Sequence, residues 1–174
     1  MVIPPLRELL TPRVVVPGPL CSLEAEFMER YGLQGAILDV DNTIVGADDL
    51  QPCAETLAWL SPLRNRHPVW LVSNNFSERR IATIAGTLQL PYRSQAGKPS
   101  RRTLREVLAT MALPPATVAM IGDRLFTDIL AGNRLGLFTI LVQPPAAIAG
   151  GWSERSRVLR NWEIWVARQA GVSL

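Results

Sequence analysis

Lysine is nearly absent from this 174-residue chain: Lys98 is the only one, and the other 17 basic positions are arginine. Cysteine is scarce as well. Cys21 and Cys53 show no CxxC spacing, which excludes a disulfide scaffold and points to a reduced, intracellular setting. Long apolar runs are missing: residues 135–142 form the longest candidate, strand-sized and far short of the ~18 to 20 residues that span a bilayer. Residues 1–10 carry Pro4, Pro5, Arg7 and Glu8 where a secretory leader would have an apolar core, so a cytoplasmic protein is expected. The single histidine, His67, lies between Arg66 and Pro68 and reads as a loop or helix-end residue. The net charge of +3 and pI of about 9.4 come from scattered arginines, which describe a solvated surface, and no nucleic-acid partner is expected.

What is present is a chain that is 48% hydrophobic and of ordinary length for one globular domain. Five of the 14 prolines fall within residues 1–20, which reads as an irregular arm. Ser22 is placed to cap a short helix that reaches Tyr31 and stops at Gly32, so residues 1–31 form an arm and helix. From residue 32 to 143 short apolar, β-rich runs alternate with amphipathic stretches. Strands are expected at 36–40, 69–73, 91–94, 118–121 and 137–142, with helices near 52–65, 77–88, 100–111 and 127–135. Pro52 suits a first helical turn, Ser77 a cap, and Gly136 a helix end. Short strands separated by crossover helices predict an α/β fold, a doubly wound parallel sheet of about five strands. A last helix is expected over 152–170. Trp152, Val158, Leu159, Trp162, Trp165 and Val166 recur there at roughly helical spacing among Arg155, Arg157, Arg160 and Arg168. A helix docked on the sheet is the plainer reading; the sharper one is an interfacial helix touching a membrane surface.

Chemistry gathers at the ends of the strand candidates. Asp39-Val40-Asp41-Asn42-Thr43 follows the first, and in open α/β sheets ligands bind beyond the carboxyl ends of strands. Two acids at i and i+2 can converge on one centre and tolerate their repulsion best beside a divalent cation. Turn formation alone rarely calls for such a pair. Gly122-Asp123-Arg124-Leu125-Phe126-Thr127-Asp128 repeats the theme after the run 118–121. Ser73-Asn74-Asn75 and Lys98-Pro99 lie between them. Four segments thus bring Asp, Ser, Lys and Asp to one rim.

The ordered set DVDNT, SNN, KP and GDRLFTD resembles the four motifs of the haloacid dehalogenase superfamily over roughly residues 32–142. It is similar to the YqeG family of class III phosphatases, which lack a cap. The resemblance implies that Asp39 is a nucleophile forming an aspartyl-phosphate and Asp41 a general acid and base. Thr43 would hold the loop, Ser73 and Asn74 would bind phosphate oxygens, and Lys98 would neutralise charge. It also implies Mg²⁺ held by Asp39, the Asp41 carbonyl and Asp123, with Asp128 on the metal through water or behind it. An acid two residues after the nucleophile favours phosphatase chemistry over dehalogenation or transport.

The intervals 43–73 and 75–98 leave room for little beyond one helix and a short strand each, so no cap domain is expected. An uncapped site suits a bulky substrate. Relatives in phosphatidylglycerol synthesis make phosphatidylglycerophosphate the leading candidate, ahead of a phosphoprotein, a nucleic-acid end or a soluble ester. Arg124, inside the fourth motif, is a candidate for substrate contact. Arg79, Arg80, Arg101 and Arg102 flank the site segments and read more simply as exposed helix faces. A signalling receiver domain would carry its acceptor Asp after the third strand, and a non-catalytic module would show damage to the catalytic set. Neither pattern is seen.

Overall fold

The computed structural model describes residues 4–24, 26–145, 154–169 and 171. Along the chain come α1 (Leu6–Leu10), β1 (Val14–Val15), a 3₁₀ turn (Leu20–Ser22), α2 (Phe27–Arg30), β2 (Gly35–Leu38), α3 (Ala54–Arg66) and β3 (Val69–Val72). They are followed by α4 (Glu78–Leu88), β4 (Tyr92–Arg93), α5 (Arg102–Met111), β5 (Val118–Gly122), a π-helical turn (Leu125–Ile129), α6 (Leu130–Asn133), β6 (Phe138–Leu141) and α7 (Glu154–Gln169). The strands form one sheet in the order β1-β6-β5-β2-β3-β4, with every pairing parallel.

β2 and β5 are buried throughout, because helices cover both faces of the sheet and the side chains alternate between two cores. Ala36, Leu38, Ala119 and Ile121 face one core, shared with Leu60 and Leu63 of α3 and Ile81, Ile84 and Leu88 of α4. Ile37, Val118 and Met120 face the other, against Leu104, Val107 and Leu108 of α5. Chain order runs outward from β2 through β3 to β4 on one side and from β5 to β6 on the other. The direction of winding therefore reverses between β2 and β5, and the crevice beyond their carboxyl ends is where this fold class binds ligands.

The expected doubly wound parallel sheet is present, with six strands in place of about five. The addition is β1, inside the arm read as irregular, where Val14 pairs with Ile140 and Val15 with Leu141. The arm also corrects a cap: Ser22 closes the 3₁₀ turn, and α2 begins only at Phe27. Pro52 stands ahead of the cap residue of α3, Cys53, and not in the first turn. The helix expected over 127–135 is divided into the π-helical turn and α6. Ser77 caps α4, its hydroxyl accepting from the Arg80 amide at 3.4 Å, and Gly136 has a positive φ of 76° just after α6. His67 ends α3. Between β2 and β3, and between β3 and β4, the only helices are α3 and α4. Trp152 lies outside the described residues, as do the side chains of 154–160.

Candidate active site

β2 ends at Leu38, and the Asp39 amide continues the ladder by donating to the Ile121 carbonyl of β5 at 2.9 Å. That bond sets Asp39 at the crevice. The next residues fold into a tight loop: the Val40 carbonyl accepts from Ile44 at 3.0 Å and Val45 at 3.2 Å, while the Asn42 amide donates to Val45 at 2.7 Å. Asn42 takes a left-handed φ of 61°, a conformation asparagine tolerates better than most residues. Thr43 is buried by this fold and its hydroxyl lies 3.5 Å from Asp39 Oδ2, a weak contact.

Lys98 is 4% exposed, and its three donor directions are all used. Nζ lies 2.6 Å from Asp39 Oδ1 and 2.7 Å from Asp128 Oδ1, and donates to the Val72 carbonyl at 2.7 Å. Burial alone would discharge this amine. Asp128 and Asp39 overcome that tendency and hold its pKa above the ordinary lysine value. Asn74 positions the lysine from behind: its side chain accepts from the Lys98 amide at 2.7 Å and donates to the Lys98 carbonyl at 2.9 Å.

Asp39, Asp123 and Asp128 are all buried, and each offers a carboxylate oxygen within 4.8 Å of the others'. Close approach by Asp128 depends on Gly122, since a Cβ there would meet Asp128 Oδ2 at 2.4 Å. The Arg124 amide donates to the same oxygen at 3.2 Å. Burial drives the Asp39 pKa up to about 7, Lys98 opposing it and Asp128 adding repulsion. Three crowded carboxylates, two of them paired with the Lys98 ammonium, form an all-oxygen donor set of the kind that fits a hard divalent cation.

The Asp41 carboxylate is directed elsewhere. Oδ1 is paired with the Arg80 guanidinium, and Oδ2 accepts from the Ser73 hydroxyl at 3.1 Å and from the Asn75 side-chain Nδ2 at 3.2 Å. Arg80 also donates to the Gly46 and Asp49 carbonyls at 2.7 and 2.8 Å, which ties the loop after β2 to the start of α4. An arginine read as part of an exposed helix face is thus largely enclosed. Ser73 is fully buried and links Asp41 to the backbone of Asn75, whose amide donates to its hydroxyl at 2.9 Å.

Among the residues expected at the site, Asp39, Thr43, Lys98, Asp123 and Asp128 come together at the crevice. Asp41 and Ser73 meet beside it. Asn74 serves the Lys98 backbone, and the Arg124 guanidinium is turned to Glu163 of α7, donating from Nη2 at 3.0 Å and Nε at 3.2 Å to one carboxylate oxygen. Trp162 packs its ring against Phe126, centroids 5.5 Å apart. The C-terminal helix therefore docks on the loop after β5, while Trp162 and Trp165 remain more than half exposed. Glu163 carried no signal beforehand, since its partner lies 39 positions away. Burial raises its pKa from the ordinary 4.5, against the pull of Arg124 and the Leu125 amide.

This parallel sheet, with acids beyond β2 and β5 and a buried lysine between them, defines a haloacid-dehalogenase-like hydrolase, and residues 95–144 match the HAD-hydrolase-like family. The chain is 34% identical over 126 residues to the probable phosphatase YqeG of Bacillus subtilis, covering 72% of this chain and 73% of that one. It belongs to the YqeG-like phosphatases of the haloacid dehalogenase superfamily. A second relative, phosphatidylglycerophosphate phosphatase 1 of the Chlamydomonas reinhardtii chloroplast, is 27% identical over 172 residues, 93% of this chain and 63% of that protein. Among solved structures, an uncharacterized protein from Listeria monocytogenes serotype 4b shares the fold at a TM-score of 0.55 and 11% identity, covering 74% of this chain and 99% of that one. Among the described residues, no helix is long and apolar enough to cross a membrane.

Proposed function

We propose that the protein is a Mg²⁺-dependent phosphomonoesterase that works through an aspartyl-phosphate and acts on phosphatidylglycerophosphate. The observation that carries the reaction is the buried trio Asp39, Asp123 and Asp128, with Lys98 paired to Asp39 and Asp128. An Asp39 carboxylate oxygen attacks phosphorus and the ester P–O bond breaks. The Asp41 carboxyl, turning from Arg80 toward the crevice, gives its proton to the departing alkoxide. A water molecule then surrenders a proton to Asp41 and attacks phosphorus, which breaks the bond to Asp39 and releases inorganic phosphate. Ser73 orients Asp41, while Lys98 balances charge on Asp39 and on the phosphoryl oxygens. Asn74 acts through the Lys98 backbone. Asp39, the Asp41 carbonyl, Asp123 and Asp128 would hold Mg²⁺, which when bound supplies charge compensation for the transferring group.

The substrate reading is supported by the name of the algal relative and, among the described residues, by the lack of any cap inserted between β2 and β4. A membrane contact suits it. Phe76 is 84% exposed three residues after Ser73, and Trp162 and Trp165 stand out on α7. Aromatic tips of this kind favour the headgroup layer.

The test is hydrolysis of an aryl phosphate with and without Mg²⁺, followed by phosphatidylglycerophosphate in micelles beside soluble sugar and nucleotide phosphates. Turnover should require Mg²⁺ and vanish in Asp39→Asn with the fold intact, and the lipid should be preferred. Undiminished turnover in that variant would remove Asp39 from its role; a strong preference for a soluble ester would refute the lipid.

A further inference from the structure

Glu163 is an acid that is 2% exposed, on a helix outside the sheet, set against the loop that holds two of the three clustered carboxylates. From Glu163 the contacts run inward. Its carboxylate takes two donors of Arg124, and the Leu125 amide also favours its charged form. The Arg124 amide in turn donates to Asp128 Oδ2, and Asp128 Oδ1 is paired with Lys98, which pairs with Asp39. Each link is a single hydrogen-bond or ion-pair distance. Burying a carboxylate in this way is costly unless its partners compensate fully, and an apolar residue at 163 could dock the helix without that cost. The carboxylate therefore calls for a purpose beyond packing.

We infer that Glu163 is a positioning residue for the phosphatase site: by holding Arg124 and the turn that follows, it fixes the loop from which Asp123 and Asp128 project. The C-terminal helix is then a working part of the catalytic unit. Trp162 and Phe126 supply the packing beside it, and Glu163 supplies the orientation. The inference rests on the phosphatase reading of the site, and the wild-type protein checks that reading separately.

The experiment compares wild type with Glu163→Ala, Glu163→Asp and Glu163→Gln. Steady-state hydrolysis of an aryl phosphate is paired with calorimetric titration of Mg²⁺ into the substrate-free protein. Residues that orient metal ligands from behind typically matter by about 10–100-fold, so Glu163→Ala should lower kcat and weaken Mg²⁺ binding by that order, with KM changed by less than about twofold. Glu163→Gln keeps an oxygen acceptor for Arg124 and should recover most of the loss. Glu163→Asp, which withdraws the carboxylate by one methylene, should fall between and serves if the alanine variant does not fold. Wild-type kcat and Mg²⁺ affinity in Glu163→Ala or Glu163→Asp would overturn the inference, as would a Glu163→Gln variant that recovers nothing of the alanine variant's loss. A wild-type protein without aryl phosphatase activity would bring down the reading of the site instead, and the Mg²⁺ titrations would still decide the role of Glu163.

Discussion

Lys98 shows how one side chain can meet several demands at once. It places a compact charge between Asp39, Asp128 and the Val72 carbonyl with no exposed surface to spare. A guanidinium is broader and planar, and it presents its donors in a fixed fork, so it cannot occupy the same three-way position. Lys98→Arg is therefore expected to shift Asp39 or Asp128 while conserving charge. Misplacement by about 1 Å costs on the order of 100-fold in rate, and a fall in kcat of that size on an aryl phosphate is the expected result. A wild-type rate would mean that charge alone suffices. Scarcity made this lysine visible in the sequence, and the spacing of the four motifs located Asp39, Thr43, Asp123 and Asp128 beside it. Arg80 was not visible in that way. It reads as one of several arginines on an amphipathic helix, and only the return of the loop over Gly46 and Asp49 encloses it against Asp41, 39 positions earlier.

At the level of elements, the buried strands were legible because β-rich apolar runs between helices have few alternatives. Their bounds shifted by a residue or two where the ladder gives way to a loop, as at Leu38. β1 was hidden because two residues near Pro12 and Pro17 carry no periodicity, and β6 alone makes them a strand. The helix expected over 127–135 opens instead with a π-helical turn, which suits the packing of Asp128 against Gly122. α7 is expected from the sequence to dock on the sheet; it docks instead on the loop after β5, through Glu163 and Trp162. Glu163 also makes docking sensitive to pH. Its folded pKa is raised, so the native state binds the proton more readily than the unfolded chain. The resulting stability is fully present below the ordinary value of 4.5 and is lost as pH rises through the higher folded value. Melting temperature followed across that interval should fall more in wild type than in Glu163→Gln. Equal slopes in the two proteins would show that burial at this position does not oppose the charge.

For the whole molecule, the sheet is asymmetric in how it is finished. On one flank β4 is short and terminates the pairing. On the other, the Arg13 amide donates to the Thr139 carbonyl and the Val16 amide to the Leu141 carbonyl, each at 2.9 Å, so the arm lies along β6 as a sheath. The crevice between β5 and β2 lies at the centre of the sheet, with three strands on each side. Without the arm, β6 would become a bare edge of apolar residues with unpaired backbone groups, a template for strand pairing between molecules. A variant lacking residues 1–16 should accordingly self-associate, and light scattering at rising concentration would register the growth, whereas a monodisperse monomer would show that β6 needs no cover. The proline-rich opening of the chain thus has a colloidal role: it keeps one copy of the sheet from being continued by the next.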